Sequence, residues 1–267
     1  MRRGGAVEFR MLHRRSDIHV IQFILMKVMA LLLLLVATSA IPQTRRTGMY
    51  ARSATPIWDL LWSTSGKARP VPIPSPNRSV IMIANWIEDG GDGGVQLTLK
   101  RNGTTLWSRK VTPGVGIEAD WAPDSKAFFV TTSGGGRNGF YGLTVYFLNE
   151  DAVSEVELTP AIETAFGHPV KCQSEEPPNI AGVKWAANSK ELVAIAEIVG
   201  HSNCDSESTF RAYQVSLPEG SIIRSYDQIE AKRLFGGDLG WEIKNAPDRC
   251  IRRPTSCWQY FNHNSPR

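Results

Sequence analysis

One pattern occurs twice in this chain and limits the folds open to it: a tryptophan, a tight turn and then an apolar run. The copies are IEADWAPDSKAFFVTTS, residues 117–133, and IAGVKWAANSKELVAIAE, residues 180–197. Both turns contain Asp or Asn, whose side chain bonds its own backbone two residues on. The apolar runs that follow are typical of strands covered on both faces. The pattern predicts a strand, a tight turn and a buried strand at each copy.

A third copy lies upstream in IPSPNRSVIMIANW, residues 73–86. We align Pro76-Asn77-Arg78 with Asp124-Ser125-Lys126, which puts Ile73 at the position of the tryptophan. The three copies are therefore spaced by 48 and then 64 residues. Spacing of this size indicates a repeated supersecondary unit.

Each copy is followed by two further alternating segments, residues 95–111, 142–158 and 211–227. The first turns at Asn102-Gly103, a strong hairpin signal, and the last turns at Pro218-Glu219-Gly220. Each unit thus predicts four antiparallel strands joined by a tight turn, a longer loop and a hairpin turn. Such a repeated unit is typical of a β-propeller blade.

The letters W-A-P-D-S-K resemble the WD40-like W-S-P-D-G-K repeat (PD40) of TolB-type propellers, over residues about 71–227. The family's turn glycine is replaced by Ser125 and Ser189. The resemblance implies an all-β fold, a partial or degenerate β-propeller of about three to four four-stranded units. It also implies a role in protein interaction in the cell envelope or outside the cell.

Three units are fewer than the four to eight blades of a closed propeller. Residues 57–73 could form a hairpin of another blade, and residues 228–267 could supply its remaining strands. That tail could equally cap an open array, and a two-sheet sandwich is a further alternative. We expect a linker over 41–56, propeller-like repeats over 57–227 and a C-terminal strand or cap segment over 228–267.

The first 40 residues are typical of a secretory signal peptide, with a basic head, an apolar run over 28–37 and small residues before Pro42. The alternative is an uncleaved membrane anchor. These residues hold six of the 30 basic and two of the 26 acidic groups, which leaves 24 of each in residues 41–267. A neutral body argues against nucleic acid as a partner. We expect an exported protein, periplasmic or secreted.

Export makes the cysteines candidates for two disulfides. The spacing of Cys172, Cys204, Cys250 and Cys257 does not match a zinc or redox site. Cys172 and Cys204 fall within one repeat on its long-loop side, so we expect them to pair, and Cys250 to pair with Cys257. We expect no metal and no cofactor.

The longer loops of all units should lie at one end of the sheets, and we expect binding residues there. The candidates are polar or charged side chains in these loops: Asp89, Asp92, Arg137, His168, Glu175, Glu176, His201 and Asp205. Trp121 and Trp185 should pack between blades. Trp58, Trp62 and Trp258 could line a carbohydrate site.

No catalytic motif is present, and no catalytic residue is assigned. The sequence favours an exported, non-catalytic binding protein whose partner is a protein or glycan in the envelope or extracellular space. The membrane would be involved only through an uncleaved N-terminal segment, and an oligomer is an open possibility. The alternative is a secreted hydrolase or lyase that acts on carbohydrate or ester substrates through loop carboxylates or histidines.

Overall fold

The computed structural model describes residues 47–62, 66–88, 93–111, 116–134, 140–150, 152–167, 176–199, 204 and 208–248. Strands dominate this part of the chain, and all of them pair antiparallel. The predicted signal peptide, residues 1–40, lies outside the described residues. None of the described helices is long and apolar enough to cross a membrane.

The first sheet, called the N-sheet, follows the order of its strands in the chain. It contains β2 (Val71–Pro74), β3 (Ile81–Ile87), β4 (Gly94–Arg101) and β5 (Thr104–Val111). The turn between β4 and β5 falls at Asn102 and Gly103, as the sequence predicts.

The second sheet, the middle sheet, contains β6 (Glu118–Trp121), β7 (Ala127–Ser133), β8 (Tyr141–Leu148) and β9 (Val153–Glu157). A two-residue strand, β1 (Thr55–Pro56), adds a fifth strand on the free edge of β6. Thr55 lies opposite Ala119 in this pair. The N-terminal part of the chain therefore completes a sheet formed by residues far along the sequence.

The third sheet, the C-sheet, contains β10 (Asn179–Trp185), β11 (Glu191–Glu197), β12 (Phe210–Ser216) and β13 (Ser221–Tyr226). The predicted repeat of four strands is thus present three times, and the expected all-β class is confirmed. The helices are α1 (Ile57–Leu61), α2 (Thr159–Phe166), α3 (Gln228–Phe235) and α4 (Trp241–Asn245).

Helix α1 corrects the expectation for residues 57–61, and helices α3 and α4 decide between the two expectations for the tail. Residues 57–61 form α1 and do not form one arm of a hairpin. The tail forms α3 and α4 as far as it is described, so it supplies no strands there and instead caps the outer face of the C-sheet. The segment expected to be a linker over 41–56 is packed into the fold where it is described, since Tyr50 and Ala51 are buried.

The sheets are stacked in chain order, and each interface has an apolar core. One core joins the N-sheet to the middle sheet, and a second joins the middle sheet to the C-sheet together with α2. Trp121 lies in the first core and Trp185 in the second, and both are 6% exposed. The prediction that these tryptophans pack between repeated units is confirmed.

Each tryptophan also donates a hydrogen bond to the preceding sheet. Trp121 Nε1 donates to the carbonyl oxygen of Ile73 at 3.1 Å, and Trp185 Nε1 donates to that of Asp120 at 3.3 Å. A buried indole N–H needs an acceptor, and here the neighbouring repeat supplies it. The repeated tryptophan therefore fixes one sheet against the next.

The tight turns at one end of the sheets, called the turn end, share one geometry. Arg78, Ser125 and Ser189 have φ of 59°, 64° and 58°, and each N–H donates three residues back, to Ser75, Ala122 and Ala186. This hydrogen-bond pattern aligns Arg78 with Ser125. The alignment of the first repeat from sequence, which places Asn77 at this position, is therefore shifted by one residue. Pro74, which is exposed, occupies the tryptophan position in place of Ile73.

The serine side chains link neighbouring turns. Ser125 Oγ accepts from the N–H of Asn77 at 3.0 Å, and Ser189 Oγ accepts from the N–H of Asp124 at 3.1 Å. A glycine could adopt the same φ more easily but could not form these bonds. Ser125 and Ser189 therefore tie the three repeats together at the turn end.

Candidate functional site

The longer connections lie at the opposite end of the sheets, which we call the loop end. They span residues 88–93, 112–117, 134–140, 158–178 and 198–209. Since every strand pair is antiparallel, successive connections alternate between the two ends. The division into an end with tight turns and an end with longer loops matches the sequence prediction.

One of the eight predicted binding residues falls within the described part of the chain. Glu176 is described and is half-buried just before β10. The others lie outside the described residues: Asp89, Asp92, Arg137, His168, Glu175, His201 and Asp205. Their roles stay predictions.

Cys204 is the described cysteine, and its sulfur is disulfide-bonded. Its partner is one of the three cysteines outside the described residues, Cys172, Cys250 and Cys257. The expected pairing of Cys172 with Cys204 stays a prediction, as does that of Cys250 with Cys257.

Two buried glutamates at the loop end were not among the sequence candidates. Glu118 is the first residue of β6 and Glu197 the last residue of β11, and each is 2% exposed. Sequence reasoning had a signal for Glu197, because an acid that ends the fully apolar run of a covered strand is unusual. Glu118 begins a short strand and carries no comparable signal.

Glu118 is surrounded by backbone donors from the N-terminal segment. The N–H groups of Met49, Tyr50 and Ala51 all donate to its carboxylate, that of Tyr50 at 3.2 Å to Oε2. Burial raises the pKa of Glu118 to about 7, and these hydrogen bonds oppose that shift without cancelling it. The nearby Asp59 adds a further small increase in the pKa.

Glu197 lies near Tyr50 from the other side. The pKa of Glu197 is raised to about 8, mainly by burial and also by the charge of Glu242, and hydrogen bonds from Asn179 and Tyr50 only partly oppose this. Its Oε1 atom has no hydrogen-bond partner within the part of the chain that the structure describes. An ionised carboxylate with an unpaired buried oxygen is costly, so the neutral acid is favoured.

Tyrosine side chains lie between the two acids. Asn179 Nδ2 donates to the hydroxyl of Tyr50 at 3.0 Å, and the rings of Tyr50 and Tyr141 meet edge to face at 5.0 Å. Burial raises the pKa of both tyrosines, and charges on Glu118 and Glu197 raise it further. Both phenols therefore stay neutral at physiological pH.

A carboxylic acid with a pKa of 7 to 8 has the proton affinity that a general acid needs. Neither Glu118 nor Glu197 contacts solvent to any extent, however, so no substrate reaches them in this conformation. The described residues contain no group of three or more His, Cys, Asp or Glu side chains that could hold a metal ion. The arrangement can hold protons and position the N-terminal segment.

A cluster of tryptophans lies where α1 meets β3. The rings of Trp58, Trp62 and Trp86 contact one another, with centroids 5.5–5.9 Å apart. All three side chains are half-buried. Trp58 and Trp62 thus pack on the ring of Trp86. Trp258, the third tryptophan predicted for a carbohydrate site, lies outside the described residues.

A cavity of about 330 Å³ lies beside α3 on the outer face of the C-sheet. Trp185, Tyr226 and Phe235 contribute its aromatic wall. The cations on its lining are already paired, Lys184 with Asp238 at 2.7 Å and Arg224 with Glu230 at 3.0 Å. No free charge therefore selects a ligand there.

No protein-family model and no curated protein matches this chain. Among solved structures, an acylaminoacyl peptidase from Pyrococcus horikoshii, in its orthorhombic crystal form, is similar with a TM-score of 0.35 and 7% sequence identity. The matched region covers 59% of this chain and 24% of that chain.

Proposed function

We propose that this protein is an exported, non-catalytic binding protein with an open, propeller-like array of three blades. Its partner, a protein or a glycan of the envelope or extracellular space, binds at the loop end. The resemblance of the turn sequences to TolB-type repeats supports the propeller-like description and the place of action.

The contrast between the two ends of the sheets carries this proposal. At the turn end, Ser125 and Ser189 tie the turns of neighbouring sheets together. The long connections are all carried at the opposite end by strands whose cores are packed between sheets. Loops held on a rigid scaffold are common sites of binding.

The tryptophan cluster is the described part of this end best suited to contact a partner. Trp58, Trp62 and Trp86 are half-buried, so part of each ring surface is available. Tryptophans contribute strongly to the binding energy of protein interfaces. Their faces also stack on sugar rings, which is consistent with a glycan partner.

The test is capture of partners from the envelope and extracellular fraction of the source cells with residues 41–267 as bait. A second bait carries His168→Ala, His201→Ala and Arg137→Ala at the loop end. A control bait carries Lys126→Gln and Glu219→Gln, exposed substitutions at the turn end. These substitutions leave α2 and the cysteines unchanged.

The proposal predicts a partner that the wild-type and control baits retain and the loop-end bait loses. Equal retention by all three baits would contradict a site formed by these three loop-end side chains. If folded wild-type bait retains neither protein nor glycan, the binding function itself is contradicted.

A further inference from the structure

The links between the stacked sheets all run in one direction. The indole of Trp121 donates to the carbonyl of Ile73 in the N-sheet, and that of Trp185 donates to the carbonyl of Asp120 in the middle sheet. The turn serines follow the same direction, since each accepts from an N–H of the preceding turn. Each indole therefore comes from the sheet that follows the one receiving it.

The N-sheet lacks the groups that form these links. Pro74 stands at the tryptophan position and Arg78 at the serine position. The N-sheet thus offers neither an indole nor a hydroxyl to a sheet before it, and the array begins there. A second copy of the chain cannot extend the array by the same links, because its own N-sheet would have to supply them.

The C-sheet keeps the receiving side of the link. Each receiving site combines a carbonyl on the first strand of a sheet with an apolar side chain opposite it on the second strand. The paired residues are Ile73 with Met82, Asp120 with Phe129 and Lys184 with Val193. In the middle sheet, Phe129 stacks on the ring of Trp185 with the centroids 6.1 Å apart. By the same register, Lys184 and Val193 form a receiving site for a third indole.

The cavity of about 330 Å³ lies at this third site. Lys184 and Val193 are on its lining, and Tyr226 and Phe235 add aromatic rings. The lysine and the arginine on the lining are both in ion pairs, so the cavity suits a neutral ring with one N–H donor. At the two earlier sites the corresponding space holds a tryptophan that is 6% exposed.

We propose that the cavity receives the indole of Trp258 from the C-terminal tail, residues 249–267. The ring packs on Val193 and Phe235, and its Nε1–H donates to the carbonyl of Lys184. Of the eight tryptophans in the chain, Trp258 is the one outside the described residues, and it follows the C-sheet as each earlier indole follows the sheet that receives it. The inference does not rest on the proposed binding function, which concerns the loop end.

The described chain ends close to the cavity. Asp248 pairs with Lys232 of α3 at 2.6 Å, and Leu234 and Phe235 of the same helix line the cavity. Trp258 comes ten positions after Asp248, and ten extended residues span about 33 Å. The whole of α3, with eight residues, is about 12 Å long. The tail is therefore long enough to reach the cavity with α3 in place.

Fluorine NMR of residues 41–267 labelled with 5-fluorotryptophan tests the proposal. The eight tryptophans give one signal each, and Trp258→Phe and Trp241→Phe assign two of them by their loss. A neutral gadolinium chelate in the solvent broadens the signals of exposed indoles, and Trp241, which is 51% exposed, is the exposed reference. We expect the Trp258 signal to survive a chelate concentration that removes the signal of Trp241.

A pair of variants tests the place of binding. Leu234→Glu puts a charge at the rim of the cavity, at a side chain that is 45% exposed. Ile223→Glu is the matched control, since Ile223 is 53% exposed and lies outside the described lining. The chelate should remove the Trp258 signal in the first variant and leave it in the second. Unchanged signals of the tryptophans in the N-sheet would show that both variants are folded.

Three results would overturn the proposal. The first is a wild-type Trp258 signal that the chelate removes together with that of Trp241, which would leave the cavity to a tryptophan of another molecule. The second is protection that disappears on dilution, since the tail of a second copy would then fill the cavity. The third is protection that persists in Leu234→Glu, which would mean that Trp258 is buried elsewhere.

Discussion

The serine at the fourth residue of the tight turns in the middle sheet and the C-sheet combines an unfavourable backbone torsion with a favourable contact. Ser125 has a φ of 64°, which costs a residue with a side chain roughly 1 kcal/mol. Its hydroxyl accepts from the N–H of Asn77 in the neighbouring sheet, a bond of similar value. The side chain is therefore retained at a position where glycine would be less strained.

Ser125→Ala should lower the free energy of unfolding by about 1 kcal/mol, because alanine keeps the strain and loses the bond. Ser125→Gly should be close to neutral, because it loses both. Urea unfolding of the two variants against the wild type measures the difference. An alanine variant as stable as the glycine variant would contradict the role of the hydroxyl.

Gly182 shows how one residue permits the approach of two sheets. A Cβ atom at this position in β10 would lie 2.8 Å from ring carbons of Phe129, which is fully buried in the middle sheet. The N–H of Gly182 also donates to Thr131 Oγ1 at 3.1 Å. The two sheets meet here with no space for a side chain.

Gly182→Ala should therefore destabilise the protein by about 1–3 kcal/mol through overpacking. Gly237→Ala is the matched control, since a Cβ atom there would meet nothing within 4 Å. Thermal unfolding followed by circular dichroism should show a lower midpoint for the first variant and little change for the second. Equal midpoints would mean that the interface can relax.

The stability of helix α3 depends on its N-terminal cap. The side chain of Asp227 accepts from the N–H of Glu230 at 2.8 Å. Asp227→Ala removes this bond and should cost about 1 kcal/mol of unfolding free energy. Asp227→Asn keeps an acceptor and should remain within a few tenths of the wild type. Urea titrations of both variants test the cap.

The elements at the chain ends also differ most from the sequence expectations. The sequence allows a hairpin over residues 57–73, but residues 57–61 form a helix from which Ile57 and Leu61 point into the core. Alternation of apolar residues over so short a stretch does not distinguish a strand from one helical turn. Packing of these residues against the N-sheet decides in favour of the helix.

For the whole molecule, the buried acids make stability depend on pH. Glu118 and Glu197 have raised pKa values of about 7 and about 8 in the folded protein, against 4.5 when exposed. The folded state then holds protons that the unfolded state has released, so stability is highest near pH 4.5 and falls as the pH rises to 8. At about 1.4 kcal/mol per pKa unit, the loss is on the order of several kcal/mol.

Urea unfolding between pH 5 and pH 8 measures this dependence. The wild type should become less stable across the window, and Glu197→Gln should have a distinctly smaller slope. A constant or rising stability over this range would contradict the assignment of neutral acids.

The sequence by itself determined the repeated unit and its strand order. The Asp and Asn turns and the Asn102-Gly103 hairpin act locally, so their geometry follows from the residues that form them. The same local signals placed the loops and the turns at opposite ends of the sheets.

Only the tertiary structure decided how residues distant in the sequence meet. Tyr50 contacts Glu118 through its N–H and Asn179 through its hydroxyl, although these partners lie 68 and 129 residues away. The burial of Glu118 and Glu197 depends on segments near both ends of the described chain, which pack over the same part of the loop end. A carboxyl group takes its pKa from the water and charges around it, and no local pattern specifies those surroundings.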